Sequence, residues 1–282
     1  MLCAARDHLG SALVEAGEVC LAGLRSAADG RDDSARVAGQ RRTKATRTAV
    51  SVCKINLAQL GRSFLGCLPD CASCVGALFL IPKRLHFVWV GDESKRPDAE
   101  IQSWIDKNPS YKVKVWGNSD LKEGWLLAKH MRHYWERELC GVADCMRWEI
   151  LYNYGGIALD ADSLCVRPLE DWLLEPDVFA SWESEIKRPG LIANGVVGSV
   201  PRHPFIGQII KDLENDTPGD RMAWEFSGPA RITQTMHEHE FSDLTVYPSH
   251  YFLPEHFAGS RYTGKGQVFA TQEWKSTRGG WQ

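Results

Sequence analysis

Ala143-Asp144-Cys145-Met146-Arg147-Trp148-Glu149-Ile150-Leu151-Tyr152-Asn153-Tyr154-Gly155-Gly156-Ile157-Ala158-Leu159-Asp160-Ala161-Asp162 decides how this chain folds. Met146, Ile150, Leu151 and Tyr154 recur in helical rhythm, so Val142–Tyr154 predicts a helix. Gly155-Gly156 ends it, because glycine accepts the left-handed conformation of a helix C-terminus. Ile157-Ala158-Leu159 is then a short strand running into Asp160 and Asp162. Alternate residues of an extended chain point to one side, so both carboxylates are expected to face the same way. Two hard oxygen ligands suit Mg²⁺ or Mn²⁺, which take one or two protein carboxylates plus substrate phosphates. Such an ion bridges a diphosphate and neutralises the charge that builds on a leaving nucleotide. An EF-hand is excluded: Leu164 stands at the third ligand position, and no glycine follows at the sixth. A bare D-x-D is common in loops, so its neighbours must decide.

Leu85–Val90 predicts a buried strand ended by Gly91-Asp92. Ala99–Lys107 predicts a helix stopped by Asn108-Pro109, with Ile101, Trp104 and Ile105 on one face. Lys112–Trp116 alternates polar and apolar and predicts a half-buried strand. Strand, helix and strand within about thirty residues form a βαβ unit and imply a parallel sheet. Val178–Trp182 and Gly195–Val200 predict further strands, and Pro204–Asn215 and Pro229–His239 further helices. The class is α/β. Ligands of open α/β sheets bind at the carboxyl ends of strands, where Trp89 and Asp160 are expected.

The Ala143–Asp162 stretch resembles the hallmark of the DXD-motif sugar-transferases. These retaining glycosyltransferases include the yeast initiating mannosyltransferase type, capsule-synthesis enzymes and the glucosyltransferase domains of large clostridial toxins. The shared pattern is a small residue, Asp, Arg three residues on, an apolar helix, Tyr-Gly-Gly, a short strand and D-x-D. Leu85–Gly91 resembles the first strand of the toxin branch. Asn194–Ser199, with Pro201 and His203-Pro204 after it, and Ser227-Gly228-Pro229 agree as well, so the resemblance covers roughly residues 81–260. It implies a GT-A-like nucleotide-sugar-binding fold with a mostly parallel central sheet. Trp89 would stack on the nucleobase, and Asp144 and Arg147 would hold ribose, sugar or diphosphate. Asn194 would contact the sugar or the acceptor pocket, and Gly228 would shape the loop beneath the donor. Asp160 and Asp162 would be the catalytic pair, with Asp162 on the metal directly and Asp160 on ribose, sugar and metal-bound water. Two departures stand out. Ala158 replaces an aromatic that many relatives carry, and the tail Thr271–Trp281 lacks their histidine, leaving Glu273, Trp274 or Ser276 to substitute.

The rest of the chain bounds these expectations. Net charge is -3 over 282 residues, which excludes the overall basic footprint of a nucleic-acid binder. All 11 Trp lie from Trp89 onward, so the packed domain is expected at 80–282 behind a basic extension, 1–79. Arg6, Asp7, Glu15 and Glu18 break any secretory or spanning run near the start. Ser34–Pro69 has seven basic residues and no acid, which suits a solvated linker or peripheral contact with an anionic membrane. Phe64–Ile81 is mostly apolar, but Asp70 at its middle is expensive in a bilayer. A buried or peripheral segment is favoured there, and a type II, Golgi-type membrane anchor stays open beside a cytoplasmic or membrane-associated location. Cys67, Cys71 and Cys74 lack a fourth ligand at zinc spacing. Cys140, Cys145 and Cys165 are expected as small core residues. His237-Glu238-His239-Glu240 is not a zinc-protease motif and reads as a solvated helix end. Trp182–Glu185 suits the acceptor pocket or a surface loop equally.

The expected activity is metal-dependent transfer of a hexose from a nucleotide diphosphate sugar to a hydroxyl of a glycan or protein, with Mn²⁺ or Mg²⁺. A non-catalytic nucleotide-sugar-binding protein and a metal-dependent phosphohydrolase are the alternatives.

Overall fold

The structure is a computed structural model that describes residues 80–122 and 124–274. The expected 1–79 extension, the Cys67/Cys71/Cys74 cluster and the tail from Lys275 lie outside these residues, as does most of Phe64–Ile81. No helix of the described residues is long and apolar enough to cross a membrane.

Strand β1 (Arg84–Val88), helix α1 (Asp98–Lys107) and strand β2 (Lys112–Trp116) form the expected unit, and β1 pairs with β2 in parallel. Helices α2 (Ala128–Trp135) and α3 (Leu139–Tyr154) follow, then strands β3 (Gly156–Leu159) and β4 (Ser163–Cys165). Strands β5 (Val178–Ser184) and β6 (Arg188–Ser199) make a hairpin. Helices α4 (Pro204–Glu214), α5 (Ala223–Phe226) and α6 (Pro229–Glu238) precede strands β7 (Thr245–Tyr247) and β8 (Ala270–Gln272). The six-stranded sheet runs β2-β1-β3-β6-β5-β7, and β4 pairs with β8 apart from it. Three of its five pairings are parallel (β1 with β2 and β3, β5 with β7), so the sheet is mixed and mostly parallel.

Helix α3 departs from a one-sided amphipathic helix. Val142 and every residue from Asp144 to Leu151 are buried, and its last residue, Tyr154, is exposed. The helix lies in the interior, with Asp144, Arg147 and Glu149 buried among its apolar residues. Glu149 on α3 also closes the start of α2, accepting the Leu126 and Leu127 N–H groups at 3.0 and 2.9 Å. No α2 side chain caps that end, so Glu149 satisfies amides that would otherwise be orphaned. Gly155 stops α3 at φ +57°, and a Cβ there would stand 2.6 Å from the Pro201 ring. Only glycine fits both demands.

Alternation along β3 splits the interior. Ala158 faces one apolar cluster with Trp148 and Phe205, while Ile157 and Leu159 face another with Phe87 and Trp104. Trp104 is fully buried, and its indole N–H donates to the Ser163 carbonyl at 2.8 Å, tying α1 to β4. Burying one such ring stabilises by about 1.5–3 kcal/mol.

Cys145 and Cys165 are buried as expected, but Cys140, in the first turn of α3, is exposed. The solvated end of α6 holds: His237, Glu238, His239 and Glu240 are all exposed. Trp182–Glu185 lies at a strand end, the end of β5, and its buried Glu183 and Ser184 set aside the surface-loop reading. Glu183 accepts from His256 Nε2 at 3.1 Å and lies 3.6 Å from the Arg188 guanidinium.

Candidate functional site

Three elements of distant sequence meet beyond the carboxyl end of β3. The parallel register sets Phe87 of β1 beside Leu159 of β3, so Trp89 and Asp160 leave the sheet at the same edge. Strand β6 runs antiparallel on the other side of β3, with Val196 opposite Leu159. The Asp160 N–H then donates to the Gly195 carbonyl at 2.9 Å, which brings Asn194 and Gly195 against the aspartates.

Asp160 and Asp162 do not converge by strand alternation, a correction to the sequence reading. Asp160-Ala161-Asp162 is a turn, closed by the Ser163 N–H donating to the Asp160 carbonyl at 3.1 Å. The carboxylates still face one place, because Gln272 Nε2 donates to Asp162 Oδ1 at 2.7 Å and reaches Asp160 Oδ2 at 3.3 Å. Gln272 arrives through the pairing of β4 with β8, which sets Ser163 opposite Gln272. Among the described tail residues Gln272 thus reaches both aspartates, whereas Glu273, Trp274 or Ser276 was expected to help close the site. Trp274 packs instead against His256 and Phe257, and Ser276 lies outside the described residues.

Arg147 joins the two halves of the site. It is 4% exposed, donates to Asp160 Oδ1 and the Asn194 carbonyl, and lies 3.9 Å from Asp144 Oδ1. Burial opposes its charge, and the Asp160 and Asp144 carboxylates outweigh burial and hold the guanidinium protonated. Its buried Nε has no hydrogen-bond partner. Asp144 accepts from Asn194 Nδ2 at 2.6 Å and the Ser227 hydroxyl at 3.2 Å. Ser227 is held by its carbonyl, which accepts from the Trp148 indole at 2.8 Å. Gly228 fits beneath, since a Cβ there would stand 3.1 Å from Asp144 Oδ2 and 3.0 Å from Trp224 Cα. Asp144, Arg147, Asp160, Asp162, Asn194 and Gly228 therefore form one connected group. Trp89 stands at the same sheet edge, half-buried, with its indole N–H on the Asp92 carbonyl at 2.9 Å. Ala158 is fully buried in β3, so this chain offers a donor no surface at that position.

Burial pushes the Asp144 carboxyl up to about 6; Asp160 adds to the rise, while Arg147 and the two donors oppose it. The folded state therefore holds this proton more tightly than the unfolded chain. That contribution to stability is complete below the ordinary value of 3.8 and is lost as pH rises through about 6. Ionised Asp144 is the form that Arg147, Asn194 and Ser227 favour. Turnover is expected to fall on the acid side of about pH 6, and Asn194→Ala, which removes one donor, to move that limb upward. A pH profile of kcat/KM for the two proteins checks this.

Gly195 and Gln272 are the contacts that motif reading missed. A Cβ on Gly195 would stand 2.6 Å from Asp160 Oδ2. Gly195→Ala is expected to turn that carboxylate aside and lower metal-dependent turnover by about 10–100-fold, the usual cost of disturbing a ligand's support. Urea unfolding should stay near wild type.

The two aspartates fit a hard divalent cation. Their oxygens converge on a single amide nitrogen, so one small group can meet both. Among the described residues no cluster of three or more His, Cys, Asp or Glu could hold a metal alone. Two carboxylates completed by substrate phosphates is the usual Mg²⁺ arrangement.

Residues 94–179 match the family model described as a glycosyltransferase sugar-binding region containing the DXD motif. Inositol phosphoceramide mannosyltransferase 3 of Schizosaccharomyces pombe is 33% identical over 140 residues, 47% of this chain and 37% of that protein. Mannosyl phosphorylinositol ceramide synthase CSH1 of Saccharomyces cerevisiae is 34% identical over 143 residues, 48% of this chain and 36% of that protein. The chain thus spans little more than a third of the length of these relatives. Among solved structures, the UDP-bound glycosyltransferase domain of the YGT toxin superposes with a TM-score of 0.49 at 9% identity, covering 67% of this chain and 83% of that one. Asn194 and Gly228 lie beyond the matched segment, which contains Asp144 to Asp162 whole. Residues 94–179 are thus similar to a DXD-type sugar-binding region of glycosyltransferases, and the likeness rests on that segment of the chain.

Proposed function

We propose that this protein transfers a hexose from a nucleoside diphosphate sugar to a hydroxyl acceptor, with retention at the anomeric carbon. The observation that carries the reading is the convergence of Asp144, Arg147, Asp160, Asp162 and Asn194 beyond the carboxyl end of β3. Trp89 offers an indole face for the nucleobase. Asp144 and Asn194 hold hydroxyls of the ribose or the sugar, and Arg147 holds the sugar or the diphosphate. Asp162, with Asp160 beside it, would hold Mn²⁺ or Mg²⁺, which supplies charge stabilisation for the departing diphosphate. Asp144 is engaged with Asn194 and Ser227, and Asp160 with Arg147. None of the gathered side chains is poised as a nucleophile on the sugar, which suits attack by the acceptor on the face the nucleotide leaves.

The names of the two relatives make mannose the first hexose to test and a phosphorylated polyol headgroup the first acceptor, ahead of glycan or protein. Membrane association through the basic residues before Pro69 belongs to the same proposal. The test is a nucleotide-sugar panel given to the full chain with Mn²⁺, with Mg²⁺ and with chelator, following nucleotide and sugar by NMR. Release from one donor, only with metal and with the sugar's configuration retained, supports the proposal. A sugar phosphate as product would replace it with phosphohydrolysis, and metal-dependent binding without turnover, acceptor present, with a binding protein.

A further inference from the structure

One face of β1 and β2, with Tyr154 beside it, carries a second polar surface. Their register sets Arg84 opposite Lys112 and His86 opposite Lys114, and alternate residues share a face. Two cations thus stand directly across from each other on neighbouring strands, which costs stability. Strand β2 is an edge of the sheet. One edge lysine discourages pairing with a foreign strand, so the facing arginine is not needed for that purpose.

These side chains line a depression of about 310 Å³ together with Val113, Trp116 and Tyr154. Its charges can be accounted for one by one. Lys114 pairs with Asp120 at 2.9 Å and lies over the Trp116 ring at 4.7 Å. Arg84 Nη1 donates to the Tyr154 carbonyl at 3.1 Å, which leaves the rest of its fork. Neither Arg84 nor Lys112 has a carboxylate partner among the described residues. His86 is not a further cation. It is buried, its Nε2–H donates to the Gly155 carbonyl at 2.9 Å, and its Nδ1 accepts from the Trp116 indole at 3.2 Å, which assigns the neutral tautomer. The Trp116 and Tyr154 rings lie 5.4 Å apart, and Tyr154 is 45% exposed. Rings with an apolar body and a polar tip suit a boundary between water and hydrocarbon.

We propose that this β1–β2 face docks on an anionic lipid bilayer. Arg84 and Lys112 take the phosphate of an anionic headgroup, and Trp116 and Tyr154 meet the region just below it. The inference rests on the sheet face alone and is independent of the transfer reaction.

The test is co-sedimentation of the full chain with phosphatidylcholine vesicles, with and without phosphatidylserine. Binding is expected only with phosphatidylserine and should weaken with salt. At the usual worth of a surface cation, Arg84→Gln with Lys112→Gln should bind about thirtyfold more weakly. Lys112→Gln alone changes one exposed side chain, so circular dichroism should not move, and binding should weaken about fivefold. Wild-type affinity in both variants overturns the proposal, because the basic segment before Pro69 is intact in each. So does equal binding to neutral vesicles, or saturable binding of inorganic phosphate at Arg84 and Lys112 without vesicle binding.

Discussion

Asp162→Asn is expected to lower metal-dependent nucleotide release by about a thousandfold or more, as suits several kcal/mol of charge stabilisation supplied through one ligand. The substitution keeps the size and shape of the side chain and removes the charge. Gln272 Nε2 now donates to Asp162 Oδ1 at 2.7 Å, and the asparagine carbonyl can accept the same bond. The turn closed by Ser163 and the pairing of β4 with β8 do not depend on that charge. Urea unfolding should therefore stay close to wild type while turnover collapses. Turnover within a few-fold of wild type would remove Asp162 from the metal site.

The largest loss of stability is expected from Arg147→Leu, at about 3 kcal/mol. Breaking a buried ion pair by removing one partner costs about 3–5 kcal/mol, because the other charge is left uncompensated. Asp144 is in that position, 7% exposed. Asp160 keeps about a third of its side chain in solvent, which screens its share and puts the total at the lower end. Without Arg147 the Asp144 carboxyl loses the charge that opposes its rise, so it holds a proton to still higher pH and recovers part of the cost. Arg147→Lys keeps the charge but gives up the fork that spans the Asn194 carbonyl and Asp160, so it should fall between the two. The measurement is the urea midpoint at constant slope. A midpoint for the leucine variant equal to wild type would mean that Arg147 does not compensate these carboxylates.

The parts of the fold with a strong local signal were legible in the sequence. Lys112–Trp116 alternates cleanly and is β2 residue for residue, and Gly155-Gly156 marks the end of α3. Strand β6 starts at Arg188 rather than Gly195, because Pro189-Gly190 resembles a turn while pairing with β5 across the hairpin keeps it extended. Helix α2 was missed, since it has no capping side chain of its own and borrows Glu149 from α3.

The site divides in the same way. Asp144, Arg147, Asp160 and Asp162 sit within one helix–stop–strand stretch, where spacing alone suggests cooperation. Asn194 and Gly228 came from resemblance; Asn194 joins the same hydrogen-bonded group, and Gly228 lies against Asp144. Gln272 had no such marker. It lies 110 residues from Asp162, on a three-residue strand whose position depends wholly on β4. Short strands paired across a long loop leave no periodicity to read. The geometry of Asp160-Ala161-Asp162 was also hidden, because two aspartates separated by alanine fit a strand end and a turn equally well.

The proposed transfer requires that Asp160 and Asp162 together hold a divalent cation against a nucleoside diphosphate. Titration of Mn²⁺ followed by electron paramagnetic resonance, on the full chain with nucleoside diphosphate present, tests it most directly. One ion bound by the wild type, bound far more weakly by Asp162→Asn, and tightened by the nucleotide is the predicted result. Equal Mn²⁺ binding by both proteins, or binding indifferent to the nucleotide, would contradict it.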